Sequence, residues 1–119
     1  MATIFVLEDD PDLLHLYTRA LSFRGYEVEY TNSAESAIAM LNDGAVSPDI
    51  AVLDMSMPGL PGSAVVNFIR NESDFQDLPI IVVSCDEDFR ELLRNARVRF
   101  MTKPIELAEL YTAVAQLAS

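Results

Sequence analysis

A chain of 119 residues, half of them hydrophobic, has the length of one ordinary domain and enough apolar material for a core without disulfide or metal staples. Eight Lys and Arg against nineteen Asp and Glu leave a formal charge of −11, which argues against DNA, RNA or an anionic membrane as a direct ligand, since each needs a basic face. The single Cys excludes an internal disulfide framework, no apolar run approaches the roughly 18 residues that span a bilayer, and Met1-Ala2-Thr3-Ile4 opens no targeting peptide, so the expected compartment is the cytoplasm.

Thr3-Ile4-Phe5-Val6-Leu7 is apolar at nearly every position, the pattern of a parallel strand covered on both faces. Leu13, Leu14, Tyr17 and Leu21 then recur at helical spacing, with Gly25 where that helix should stop. A weaker strand covers Glu27 to Tyr30. Asn32 is placed to cap a second helix, with Glu35 completing a capping box and Ala34, Ala37, Ile38 and Leu41 on the apolar side, to a stop near Gly44. Ile50-Ala51-Val52-Leu53 is the next strong strand, followed by a helix over about Gly62 to Asn71 that turns Val65, Val66 and Ile69 inward. Ile80-Ile81-Val82-Val83 repeats the strand pattern, and a shorter helix over about Glu87 to Asn95 and a weak strand from Val98 to Met101 come after it. The last helix opens after Pro104 and carries Leu107, Leu110, Tyr111, Val114 and Leu117.

Five strands alternating with five helices predict a flavodoxin-like (βα)5 three-layer α/β sandwich, with a five-stranded parallel sheet of order 2-1-3-4-5. That order puts the first, third and fourth strands at the centre, where the three most apolar runs belong. We expect residues 1–119 to form a single domain, with no room after the last helix for a further, output domain.

Polar groups follow the strong strands. The first ends in Glu8-Asp9-Asp10, the third in Asp54, the fourth in Ser84, and the fifth leads into Lys103-Pro104. Parallel strands point one way, so these groups gather at the carboxyl edge of the sheet, where open α/β sheets bind ligands. Like charges ~4 Å apart repel by about 4 kcal/mol at an effective dielectric of 20. A hard divalent cation relieves such a cluster, and oxygen-only ligands favour Mg2+ over zinc. Lys103 then offers a point charge to phosphoryl oxygens and Ser84 a hydroxyl donor, which makes an Asp facing them a fit acceptor for phosphoryl transfer.

Glu8-Asp9-Asp10-Pro11, Asp54-Met55-Ser56-Met57-Pro58-Gly59, Ser84 and Lys103-Pro104 together resemble the receiver domain of two-component response regulators, over essentially the whole chain. The resemblance implies a phosphorelay function in which a sensor histidine kinase or a histidine phosphotransfer protein gives a phosphoryl group to Asp54. It implies Mg2+ held directly by Asp9 and Asp54, through water by Glu8, and by the backbone carbonyl of Ser56. Ser84 matches the hydroxyl that follows the phosphoryl group, Lys103 the lysine that pairs with it, Phe100 the aromatic switch position, and Pro104 a proline preceded by a cis peptide. A downstream output domain or protein, and a homodimer formed on phosphorylation, are the further partners it implies. Such domains catalyse their own phosphorylation and slow dephosphorylation and are signalling switches, not metabolic enzymes.

The chain departs from that pattern at three places. Cys85 stands where a small residue is usual and reads as a partly buried filler. The stretch from Ser84 to Lys103 is short, with Asn95-Ala96-Arg97-Val98-Arg99 in place of a Gly-Ala turn. Phe100 lacks a phenolic hydroxyl, so a switch there works by packing. Asp10 and Asp12 read as helix-capping charges and His15 as a surface residue. The competing function is a receiver-like module that docks partners without being phosphorylated.

Overall fold

Strand and helix alternate throughout the computed structural model, which describes residues 2–118: β1 (Thr3–Leu7), α1 (Pro11–Phe23), β2 (Glu27–Thr31), α2 (Ala34–Asn42), β3 (Ile50–Asp54), α3 (Gly62–Asn71), β4 (Ile80–Ser84), α4 (Asp88–Leu92), β5 (Arg99–Thr102) and α5 (Leu107–Ala118). The strands form one parallel sheet in the expected order β2-β1-β3-β4-β5. Leu7, Leu53, Val82 and Phe100 stand in one row across the four strands from β1 to β5, so the carboxyl ends finish nearly level.

Successive strand residues face opposite sides of a sheet, and this divides the core in two. Phe5, Leu7, Ala51, Leu53, Ile80 and Val82 pack with Ala37, Leu41, Val65 and Ile69 of α2 and α3. Ile4, Val6, Ile50, Val52, Ile81 and Val83 pack with Tyr17, Leu21, Leu110 and Val114 of α1 and α5. Burying a side chain of this size contributes about 1.5–3 kcal/mol, which is why the continuous apolar runs take the centre of the sheet. The edge strand β2 leaves Glu27, Glu29 and Tyr30 exposed. Among the described residues no helix is long and apolar enough to cross a membrane.

Asp10 caps α1, its Oδ1 accepting the backbone N–H groups of Asp12 at 2.9 Å and Leu13 at 3.2 Å. At the other end Gly25 takes φ +94°, a conformation that a side chain would strain. The cap of α2 is Ser33 and not Asn32: Ser33 has the extended backbone a cap needs, and its Oγ accepts the N–H of Ser36 at 3.1 Å. The expected pairing of Asn32 with Glu35 is therefore displaced by one residue.

The largest departure lies between β4 and β5. The helix expected over about Glu87 to Asn95 closes after five residues, none of them buried, and Leu93 just beyond it enters the core. Turns carry the chain onward to a β5 that starts and ends one residue later than expected. Arg97 takes φ +58°, the left-handed region where glycine would be unstrained. Two guanidinium groups hold this turn. Arg70, on the last turn of α3, donates to the backbone carbonyls of Ala96 (2.8 Å) and Arg97 (3.0 Å) on one side and Gln76 (3.0 Å) and Leu78 (2.7 Å) on the other. Arg97 pairs with Asp77 at 2.9 Å and donates to the Gln76 carbonyl at 3.1 Å. Cys85, expected to be partly buried, is exposed, because it follows the last ladder residue of β4.

Candidate functional site

The level ends of β1, β3, β4 and β5 bring the strand-end groups into one pocket. Glu8 and Asp54 are each 1% exposed and Ser84 is fully buried, while Asp9 is the solvent-facing member. Glu8, Asp9 and Asp54 offer carboxylate oxygens that all lie within 4.8 Å of one another. Lys103 Nζ reaches into the group, 2.9 Å from Glu8 Oε1 and 3.4 Å from Asp54 Oδ1. The Lys103–Pro104 peptide is cis.

The two buried carboxylates are oriented by backbone. Glu8 Oε2 accepts the N–H of Asp10 at 3.1 Å, and Asp54 Oδ1 accepts the N–H of Ser56 at 3.1 Å. Asp54 Oδ2 is buried with no hydrogen-bond partner. The hydroxyls of Ser56 and Ser84 lie 3.3 Å apart, and Ser84 Oγ also accepts the N–H of Asp86 at 3.0 Å. Phe100 lies half-buried on β5, with the guanidinium of Arg90 over its ring at 4.4 Å.

Burial pushes the Asp54 carboxyl up from 3.8 to about 7, with the nearby Glu8 carboxylate adding to the rise and Lys103 and the Ser56 N–H opposing it. Burial works the other way on Lys103, yet its hydrogen bond to Glu8 and the charges of Asp54 and Glu8 outweigh it and raise the ammonium above 10.5. Burial raises the Tyr17 phenol above its ordinary value, helped by Glu8. A pocket with three carboxylates and one ammonium, and with an orphaned buried oxygen on the central Asp, fits a hard cation: its donors are all oxygen. His15 and Cys85, the one imidazole and the one thiol of the chain, are both exposed and outside this donor set.

One close approach to Asp54 comes from a residue that the sequence marks only as a helix start. Gly62, the first residue of α3, abuts the strand end so closely that a Cβ there would overlap the backbone carbonyl of Asp54. The Met57-Pro58-Gly59-Leu60-Pro61 loop thus folds back against the site that it leaves.

The family model for the response regulator receiver domain matches residues 4–115. The chain belongs to that family. As a receiver domain of two-component systems it is 36% identical, over 96% of its length, to 48% of an uncharacterized transcriptional regulatory protein of Bacillus subtilis, YrkP. It is 29% identical, over 98% of its length, to 12% of the sensor histidine kinase TmoS of Ectopseudomonas mendocina. The receiver thus spans about half or less of the length of these relatives. Among solved structures, the Thermotoga maritima response regulator TrrA in complex with Mg2+ and BeF superposes with a TM-score of 0.85 at 27% identity, covering 98% of this chain and 99% of that one. Vibrio cholerae CheY4 shares the fold at a TM-score of 0.87 and 20% identity, over 98% of each chain.

Proposed function

We propose that this receiver accepts a phosphoryl group on Asp54 from a phosphohistidine, carried by a sensor histidine kinase or a histidine phosphotransfer protein, and thereby switches a partner-binding surface. The observation that carries this reading is the buried, unpartnered Oδ2 of Asp54 in a pocket that also holds Glu8, Asp9 and Lys103. A carboxylate oxygen of Asp54 attacks phosphorus, the P–N bond to the donor imidazole breaks, and an acyl phosphate remains. The Ser56 N–H and Lys103 orient the Asp54 carboxylate for that attack. Lys103, held between Glu8 and Asp54, carries the positive charge that meets the phosphoryl oxygens, and the Ser84 hydroxyl is the neutral donor that turns toward them.

Glu8, Asp9, Asp54 and the backbone carbonyl of Ser56 are the groups that would hold Mg2+, with Glu8 acting through water. When bound, Mg2+ neutralises charge among the carboxylates and on the transferred group. A phosphoryl group adds about −1.5 to −2 charges at neutral pH, so it biases Ser84 and the adjoining α4–β5 surface, where a downstream domain or protein reads the state. The likeness to transcriptional regulators and to a sensor histidine kinase supports this placing of donor and output.

Intact-protein mass spectrometry after incubation with acetyl phosphate tests the reading. One added phosphate is expected on the wild type with Mg2+, and none without Mg2+ or on the Asp54→Asn variant. No phosphate, together with no NMR response of Glu8, Asp9 or Asp54 to Mg2+, would overturn it and leave the unphosphorylated docking module.

A further inference from the structure

Ser84 is tied to more than the pocket. Its Oγ accepts the backbone N–H of Asp86 at 3.0 Å, which anchors the chain as it enters α4. The helix is otherwise held by Phe89, half-buried against the core, and by Asp86 Oδ1, which accepts the N–H of Asp88 at 2.9 Å; none of its five residues is fully buried. Among the described residues, the polar tie from the helix to the sheet is Arg90. Its guanidinium covers the Phe100 ring at 4.4 Å, its Nη2 reaches Thr102 Oγ1 at 3.5 Å, and its Nε pairs with Glu87 at 3.3 Å. Thr102 is the ladder partner of Ser84 and directly precedes Lys103. One side chain therefore joins α4 to Phe100 and to Thr102, the last residue of β5 before the pocket lysine.

We propose that Arg90 is a latch that sets how readily the α4–β5 surface answers the pocket, a regulatory device that rests on the phosphoryl-acceptor reading. A phosphoryl group on Asp54 offers the Ser84 hydroxyl a charged acceptor. When Ser84 turns to it, the Asp86 N–H loses its partner and the entrance to α4 loosens. The stack of Arg90 on Phe100 then opposes the release of the helix. Phe100 has no hydroxyl with which to report the state of the pocket, and the guanidinium above it takes over that work. A planar fork is needed, because it covers a ring face and donates to Thr102 and Glu87 at once.

Amide hydrogen exchange on the full chain, with beryllofluoride plus Mg2+ as the acyl-phosphate mimic, tests the latch in the wild type and in Arg90→Gln, Arg90→Lys and Arg94→Gln. Without mimic, Arg90→Gln is expected to lower protection across residues 86–95 about two- to five-fold, the size of an exposed cation–π contact. The apparent affinity for beryllofluoride should rise by a similar factor, because less work is needed to reach the binding-competent state. Arg90→Lys should follow Arg90→Gln. Arg94→Gln should match the wild type, since Arg94 lies in the turn after α4 and its ion pair, at 3.0 Å, is with Glu91. Unchanged protection in Arg90→Gln, an equal loss in Arg94→Gln, or lost protection with no gain in affinity would each overturn the proposal. A wild type that takes no beryllofluoride would instead remove the acceptor reading, while the mimic-free exchange still decides whether Arg90 holds α4.

Discussion

Asp54 lies beside Glu8, Asp9, Lys103 and the Ser56 N–H but only one of its oxygens is satisfied, and this asymmetry gives it a measurable signature. Its carboxyl titrates at about 7 in the folded chain against an ordinary 3.8. Between those values the native state binds more protons than the unfolded one, so this group removes stability as pH rises from about 4 to 7, and the loss is complete above 7. The Asp54→Asn variant carries no such charge. It should therefore melt at a higher temperature than the wild type in the absence of divalent cations, by a margin that is large at pH 8 and nearly gone at pH 5. Calorimetry of both proteins in EDTA at the two pH values checks this; an equal margin at both would assign the effect to packing. Gly62 makes a second demand on the same residue. Gly62→Ala should cost about 2 kcal/mol or more, since the added methyl meets a backbone carbonyl that cannot swing aside. Urea unfolding measures the cost, and phosphorylation of the surviving folded protein should be slowed because Asp54 has been moved.

Between elements, the α4–β5 connection depends on a side chain far away in the chain. Arg70 satisfies four carbonyls from two loops, with its guanidinium partly buried. Arg70→Ala should lower stability by about 2–4 kcal/mol, and Arg70→Lys should recover little, because one ammonium cannot span both loops. Denaturant midpoints of the three proteins compare them directly. The same contact explains why this region was the least legible part of the sequence. Strands β1, β3 and β4 announce themselves as apolar runs, and the acids, hydroxyl and lysine that follow them fall into one pocket as soon as the strands are parallel. The turn between α4 and β5 is held by Arg70 through backbone groups 26 and 27 positions away, and a residue list does not mark backbone acceptors. Asn32 and Ser33 are equally good caps by type, and the local backbone angle decides between them. Gly62 was legible as a helix start but not as the point where that helix touches Asp54.

Across the molecule, a charge of −11 acts on every contact. Added monovalent salt should raise the melting temperature by screening this repulsion, in wild type and Asp54→Asn alike. Mg2+ at matched ionic strength should act differently: at a hundred times its dissociation constant, binding to the folded state alone adds about 2.7 kcal/mol, and only where the Asp54 carboxylate is present. Melting curves in the two salts separate the general field from the local site. The four bonds from Arg70 have a further consequence. They fasten the chain just before β4 and just before β5, at the end of the sheet opposite the pocket. Helix α4 and the turns after it run from the pocket end down to that fastening, so the far end of this segment is a fulcrum and its near end the free arm of a lever. Any stroke begun at Ser84 is then widest beside the pocket and dies away toward Arg70, which gives the receiver one mobile rim on an otherwise fixed frame.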